Sequence, residues 1–162
     1  MIIAMWLVLF AILAYLFNGM LEERHNPNQQ IKTISHTDGI RELKLLRNHY
    51  GHYVASGSIN NHEVTFMLDT GASDVAIPEA IANDIGLRKG HPLTYQTANG
   101  KITVYATLLD EIALGDIRLH QVRATINPNV QGEEILLGMS FLKHIEFTQR
   151  GNTLTLKQYP EN

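Results

Sequence analysis

The hydrophobic and polar positions divide the 162-residue chain into an apolar N-terminal run and a longer, more polar body. Residues 1–17, MIIAMWLVLFAILAYLF, carry no charge, and a run of this length is near the lower limit for a membrane-spanning helix. Because no face of the run is polar, we expect a single-pass transmembrane anchor rather than a buried core helix. A cleaved signal peptide is the alternative, although no basic region precedes the run and no clear small-x-small cleavage site follows it.

The remaining residues form a linker and one domain in the predicted organisation. Residues 18–39 are polar, contain Pro27 and show no sustained periodicity, which is typical of a linker. Residues 40–162 change to short, alternating, β-rich segments and predict one mainly-β domain with one short helix. Strands are predicted at 41–46, 52–59, 63–68, 95–97, 102–105, 104–114, 117–126, 135–137 and 153–157, a helix at 78–85 and a helical turn at 140–144.

Composition and charge narrow the classes of function. Without the apolar run, roughly 37% of the residues are apolar, which is ordinary for a soluble domain and enough for one core. The net charge of −3 and the scattered Lys and Arg argue against a nucleic-acid partner. The absence of cysteine excludes disulfides and thiolate sites. His49 and His52 flank a glycine turn without an acidic ligand at helical spacing, so we expect neither a metal site nor a cofactor.

The segment Asp69-Thr70-Gly71-Ala72-Ser73 is the candidate catalytic motif. It directly follows an apolar strand, and a carboxylate buried at a strand end is costly unless it is hydrogen-bonded or shares its proton. The nearby hydroxyls of Thr70 and Ser73 can supply hydrogen bonds, and Gly71 permits a close approach of backbone or substrate. A solvated turn is the alternative interpretation, because Asp, Thr, Gly and Ser are all turn-forming residues.

Two further features change the interpretation of this motif. The Ala98-Asn99-Gly100 hairpin tip lies about 30 positions after Asp69, and the apolar run 135–137 ends in Gly138. Together with the Asp69 motif, these features resemble the retropepsin-like aspartic proteases over about residues 40–158. The resemblance is strongest to the bacterial membrane-anchored members, and it implies a closed or partly open β-barrel with one short helix.

The resemblance assigns roles to individual positions. Asp69 matches the catalytic aspartate, Thr70 a buried hydroxyl that braces the two active-site loops, Gly71 a backbone that faces substrate, and Ser73 a hydroxyl that supports the carboxylate. The tip of the flap that covers bound peptide is matched by Ala98, Asn99 and Gly100. Leu136-Leu137-Gly138 matches the segment packed beneath the catalytic loop. The tip carries Asn-Gly where the family has a longer glycine-rich stretch.

A single Asp-Thr-Gly motif in the chain implies a homodimer. Aspartic-protease chemistry needs two carboxylates about 3 Å apart that share one proton, because two charges that close cannot both form. The remaining aspartates lack the motif's context; they are Asp38, Asp74, Asp84, Asp110 and Asp116. The second carboxylate must therefore be Asp69 of a second copy across a two-fold axis. Confinement to a membrane would raise the effective concentration of that partner.

The sequence therefore predicts an aspartic endopeptidase that hydrolyses polypeptides through a water activated by the aspartate pair. A catalytically silent retropepsin-fold module for peptide binding or dimerisation is the alternative. The expected partners are a polypeptide substrate, a second copy and the membrane. The resemblance suggests a body outside the cytoplasmic membrane, in the periplasm, whereas Arg24 and Lys32 after the apolar run favour the cytoplasmic side.

Overall fold

The computed structural model describes residues 2–97 and 100–160. Its first element, α1 (Ile2–His25), is a 24-residue helix that extends from the body with exposed apolar side chains such as Trp6 and Phe10. An 18-residue window within Ile3–His25 has a mean hydropathy of 2.1, so this helix is long and apolar enough to cross a membrane. A signal sequence near an N-terminus would have the same properties.

The described body contains eleven strands and two short helices. The strands are β1 (Thr33–Ser35), β2 (Arg41–Leu46), β3 (Val54–Ile59), β4 (His62–Leu68), β5 (Val75–Pro78), β6 (Pro92–Thr97), β7 (Gly100–Leu114), β8 (Ile117–Asn127), β9 (Glu134–Leu137), β10 (Glu146–Arg150) and β11 (Thr153–Gln158). The helices are α2 (Glu79–Asp84) and α3 (Met139–Leu142). The predicted mainly-β architecture is confirmed, whereas β1, β5 and β10 were not predicted, because they are short or lack an apolar face.

Seven strands form a sheet that closes on itself. Their order is β3-β4-β9-β5-β8-β7-β6, and β3 also pairs with β7 through Ser58↔Ala113 and Ile59↔Ile112. This extra pairing turns six strands into a closed barrel, and β6 lies outside it with β7 as its strand neighbour among the described strands. Gly57 permits the closure, because a Cβ at this position would collide with the Ala113 carbonyl oxygen and the Phe66 ring. The barrel agrees with the expected closed or partly open form.

The barrel encloses the hydrophobic core. Inward-facing side chains of the strands and of α3 are fully buried, and the largest of them are Phe66, Phe141, Ile59, Ile77, Leu109, Ile112, Leu114, Ile117, Ile126 and Ile135. Burial of such side chains stabilises the fold by about 1.5–3 kcal/mol each. The strands that carry the candidate site therefore have a rigid support.

A second, four-stranded sheet has the order β1-β2-β11-β10. Leu43 and Leu45 of β2, together with Leu156 of β11, join it to the core. β10 is an edge strand, and all five of its residues are exposed. Because no described strand pairs with its outer edge, this edge is available for pairing with another strand.

The segment that follows α1 is docked on the body and is less irregular than the sequence predicts. The helix continues beyond residue 17 to His25, whose carbonyl accepts a hydrogen bond from the Asn48 side chain at 2.9 Å. Asn28 is only 5% exposed and its backbone bridges to Ala55 in parallel register. The Asn28 amide donates to the carbonyls of Leu46 (2.9 Å) and Val54 (2.6 Å), and its oxygen accepts from the Leu46 N–H (2.7 Å). Little slack chain therefore separates α1 from the barrel.

We expect Asn28→Ala to destabilise the body by about 2–4 kcal/mol, because three backbone groups in buried or part-buried places would lose a partner. Chemical unfolding of the full chain in detergent measures this loss. Gln29→Ala is the control, since Gln29 is adjacent and exposed. Equal stability of the two variants would contradict the docking of this segment.

Candidate active site

Two neighbouring parallel strands deliver Asp69 to its position. β4 and β9 pair in parallel, with Leu68 opposite Leu137. The Asp69 N–H donates to the Leu137 carbonyl at 3.2 Å, so the pairing continues to the first residue of the motif. Because parallel strands end at the same edge of a sheet, the loop after β4 and the turn after β9 meet at this edge.

The Asp69 carboxylate is partly exposed and has a fixed orientation. Its Oδ1 accepts a hydrogen bond from the Gly71 N–H at 2.8 Å, and its carbonyl accepts one from Ala72 at 3.2 Å. A carboxylate that is held by a backbone N–H and still reaches solvent can bind a water and exchange a proton with it.

The turn after β9 supports the Asp69 loop from below. Met139 N–H donates to the Ala72 carbonyl at 2.8 Å, and Ser140 N–H donates to the Ser73 carbonyl at 3.0 Å. A Cβ at Gly138 would collide with the carbonyl oxygens of Ala72 and Asp74, so only glycine permits this contact. The apolar run ending in Gly138 thus lies directly against the loop, as the resemblance implied.

Ser140 has a second role in the same support. Its side chain is buried, and its Oγ accepts a hydrogen bond from the Val75 N–H at 2.9 Å. This bond fixes the first residue of β5.

Three of the other predicted site residues lie at the surface of the single chain; they are Thr70, Gly71 and Ser73. The Asp69 carboxylate accepts its hydrogen bond from Gly71 rather than from Ser73. Gly100 begins β7 opposite Thr97 and is partly exposed. Ala98 and Asn99, the other two predicted flap residues, lie outside the described residues.

A buried carboxylate that sequence reasoning missed lies in the same loop. The Asp74 side chain is 3% exposed; its Oδ2 accepts a hydrogen bond from the Tyr95 hydroxyl, and its Oδ1 accepts one from Arg123 Nε at 2.8 Å. We call these three residues the Asp74 network. Burial of the hydroxyl, with its bond to Asp74, raises the pKa of Tyr95 to about 12. The same carboxylate raises the pKa of Arg123.

The histidines show no arrangement suited to a metal. Within residues 2–97 and 100–160, no group of three or more His, Asp or Glu side chains could hold an ion. His49 instead packs against Tyr50, with ring centroids 3.7 Å apart and ring planes tilted by 41°.

Comparison with known proteins decides the family. Residues 55–144, more than half of the chain, match the family model described as gag-polyprotein putative aspartyl protease. The chain belongs to the retropepsin-like aspartic protease family. The matched range contains Asp69, the β6–β7 hairpin and Gly138.

Three individual proteins are also similar to this chain. An uncharacterised protein in the cobV 5′ region of a Sinorhizobium species is 31% identical over 159 residues, which cover 91% of this chain and 68% of the relative. An uncharacterised protein of Rickettsia prowazekii (strain Madrid E) is 26% identical and covers 97% of this chain and 70% of its own. A retropepsin-like aspartic protease from Rickettsia conorii superposes with a TM-score of 0.61 at 24% identity, over 80% of this chain and 95% of that chain. This last likeness concerns the fold.

The raised pKa of Tyr95 predicts a late tyrosine titration in this family member. Tyr95 should form tyrosinate near pH 12 rather than at the ordinary value of 10.0. Since the unfolded chain loses this proton first, the contribution of Tyr95 to stability is complete below pH 10 and is lost as the pH rises through about 12. An absorbance titration should lose this late step in Tyr95→Phe and keep it in Tyr105→Phe. Identical titrations of the two variants would contradict the assignment.

Proposed function

We propose that this chain is an aspartic endopeptidase that works as a homodimer, with Asp69 of each copy forming the catalytic pair. The observation that carries the proposal is the placement of Asp69. It stands at the common end of β4 and β9, partly exposed, with its carboxylate bonded to the Gly71 N–H and its loop supported by Gly138. Membership in the aspartic protease family supplies the reaction class.

The proposed chemistry needs two Asp69 carboxylates that share one proton. The ionised carboxylate removes a proton from a water, which attacks the peptide carbonyl carbon, while the protonated partner donates to the developing oxyanion. The proton lost by the water later reaches the leaving amine as the C–N bond breaks. The pair titrates as a unit, so its two apparent pKa values belong to the dimer rather than to one residue.

Within one described chain, the neighbouring Asp74 cannot supply the second carboxylate. Both of its oxygens already accept hydrogen bonds, from Tyr95 and Arg123, and its side chain is nearly inaccessible. Only Asp69 carries the Asp-Thr-Gly context. A second copy is therefore the source of the partner carboxylate in the proposal. A dimer would also cover Thr70, the hydroxyl that the resemblance assigns to bracing the two loops, which is exposed in the single chain.

The free edge of β10 offers a surface on which two copies can pair. Arg150 and Thr153 flank a two-residue loop and form a hydrogen-bonded pair. Because the backbone groups of successive residues point to alternate sides of a strand, those of Phe147 and Gln149 point away from β11. Antiparallel pairing of two β10 strands about Thr148 would use these groups. β10 begins eight residues after Gly138, so the edge is close in sequence to the turn that supports Asp69.

Charge complementarity favours this register. With Thr148 on the two-fold axis, Glu146 of one copy lies opposite Arg150 of the other, and the same pair recurs symmetrically. Opposite charges across neighbouring strands stabilise a sheet, whereas like charges oppose it. Pairing would also cover the ring of Phe147, which is 40% exposed.

We further propose that α1 anchors the chain in the cell membrane, with the body on the extracytoplasmic side, as the resemblance to the membrane-anchored members implies. Support for an anchor comes from the length and hydropathy of the helix and from the exposure of its apolar side chains. The Asn48 side chain caps the helix end at His25, so the body would lie immediately beside the membrane surface.

Asp69→Asn should reduce peptide cleavage by at least about a thousandfold, because the amide can neither accept the proton of water nor share one with its partner. Cleavage of a mixed peptide library by the full chain in detergent measures this, and circular dichroism checks folding. Asp116→Asn, at an exposed turn, is the control. Undiminished cleavage by Asp69→Asn would contradict the catalytic role of Asp69, and a folded wild type that cleaves no peptide would favour the silent binding module.

Arg150→Glu should weaken the dimer by about tenfold or more and lower cleavage at dilute concentrations, since two attractive pairs become repulsive. Adding Glu146→Arg to the same chain restores opposite charges and should restore both properties. Analytical ultracentrifugation of the full chain in detergent gives the dissociation constants. A double variant as weakly paired as the single one would contradict the β10 register.

A further inference from the structure

The Asp74 network connects three separate parts of the fold. Asp74 lies five residues after Asp69 in the same loop, Tyr95 lies in β6, and Arg123 lies in β8. The two donors use different oxygens of one carboxylate, Tyr95 on Oδ2 and Arg123 on Oδ1. The loop that carries Asp69 is thereby bonded to the outer strand of the β6–β7 hairpin.

β6 depends on this bond more than an inner strand would. Among the described strands it stands at the end of the seven-stranded sheet with β7 as its one strand neighbour, through pairs that include Tyr95 opposite Ile102. The Tyr95 hydroxyl fastens β6 to a part of the chain outside the hairpin.

The Asp74 end of the bond is fixed independently. Its carbonyl oxygen lies against Gly138, and the next residue, Val75, donates its N–H to Ser140 Oγ at 2.9 Å. Because these contacts hold Asp74 in place, its hydrogen bond to Tyr95 restrains the position of the β6–β7 hairpin rather than that of the Asp69 loop.

Burial of the Asp74 carboxylate strengthens its hydrogen bond to Tyr95. The Asp74 side chain is 3% exposed, and Arg123 balances its charge while remaining 72% exposed. A hydroxyl that bonds to a buried carboxylate makes a charge-assisted hydrogen bond, and its loss leaves a buried oxygen without that partner. The hairpin position set by Tyr95 is thus energetically preferred over positions in which the bond is absent.

We propose that Asp74 and Tyr95 are positioning residues, which fix the β6–β7 hairpin relative to the Asp69 loop in the geometry that binds the peptide substrate. This inference rests on the proposed endopeptidase function. Neither side chain supplies a proton or contacts the scissile bond in the proposed reaction, since both are occupied with each other. Loss of the bond therefore acts on substrate binding, seen in KM, more than on kcat.

Tyr95→Phe tests the inference, because it removes the hydroxyl and retains the ring. Full-length variants in detergent should show KM raised about tenfold or more, with kcat within about twofold of the wild type. Amide hydrogen exchange should become faster at 93–97 and 100–105. Tyr105→Phe is the matched control: it lies in the same hairpin, opposite Pro92, with Lys89 Nζ 4.8 Å from its ring centre.

A double-mutant cycle separates positioning from a general loss of packing. In the Asp74→Asn background the charge-assisted bond is already weakened, so adding Tyr95→Phe should change KM by much less than in the wild type. Equal KM and equal exchange for Tyr95→Phe and Tyr105→Phe would overturn the inference. Fully additive effects of Asp74→Asn and Tyr95→Phe would overturn it as well.

The exchange measurement keeps this test independent of the proposed function. A wild type without cleavage activity, combined with faster hairpin exchange in Tyr95→Phe alone, would reject the endopeptidase and retain the structural bond. An active wild type whose Tyr95→Phe variant keeps both its KM and its exchange would retain the endopeptidase and reject the positioning role.

Discussion

The contact between Gly138 and the Asp69 loop is the constraint on which the site depends. The parallel pairing of β4 and β9 brings the two segments to one edge, and the missing Cβ lets the carbonyls of Ala72 and Asp74 lie against the glycine. The N–H groups of the following turn then bond to the loop, and Ser140 fixes the start of β5. Any larger residue at position 138 would separate these layers, and the direction of the Asp69 carboxylate would no longer be defined.

The same short loop holds two carboxylates in opposite environments. Asp69 is partly exposed and accepts a hydrogen bond from a backbone N–H, whereas Asp74 is buried between Tyr95 and Arg123. A buried carboxylate whose two oxygens accept hydrogen bonds from fixed donors can stabilise the structure, but neither oxygen is open to a reacting group. A charge with an open side can exchange protons with water. The environments therefore divide the work, with reaction chemistry proposed for Asp69 and positioning for Asp74.

Local patterns in the sequence predicted the parts of this structure that depend on neighbours along the chain. Alternation gave β2 at its observed bounds, and the apolar run before Asp69 gave β4 to within one residue at its start. Gly138, which follows the apolar run of β9, indicated the segment that supports the Asp69 loop. The expected barrel follows from these strands together with the resemblance to the retropepsin-like family, which the family match confirms.

The remaining features depend on residues that are far apart in the chain. Tyr95 and Arg123 lie 21 and 49 residues from Asp74, and no pattern in their own segments indicates a shared partner. Docking of Asn28 likewise becomes visible only once Leu46 and Val54 are adjacent. Register and barrel closure create these contacts, so a reading of local periodicity cannot anticipate them.

The proposed dimer and the proposed anchor explain each other in physical terms. Five exposed residues of one edge strand, with two symmetric ion pairs, would make a weak interface in dilute solution. Chains confined to a membrane meet at a much higher effective concentration, and the docked segment after α1 would hold every anchored body close to the same plane. A weak edge contact would then suffice to complete the proposed Asp69 pair. Catalytic capacity would consequently depend on the density of chains in the membrane, because a single chain contains half of the required pair.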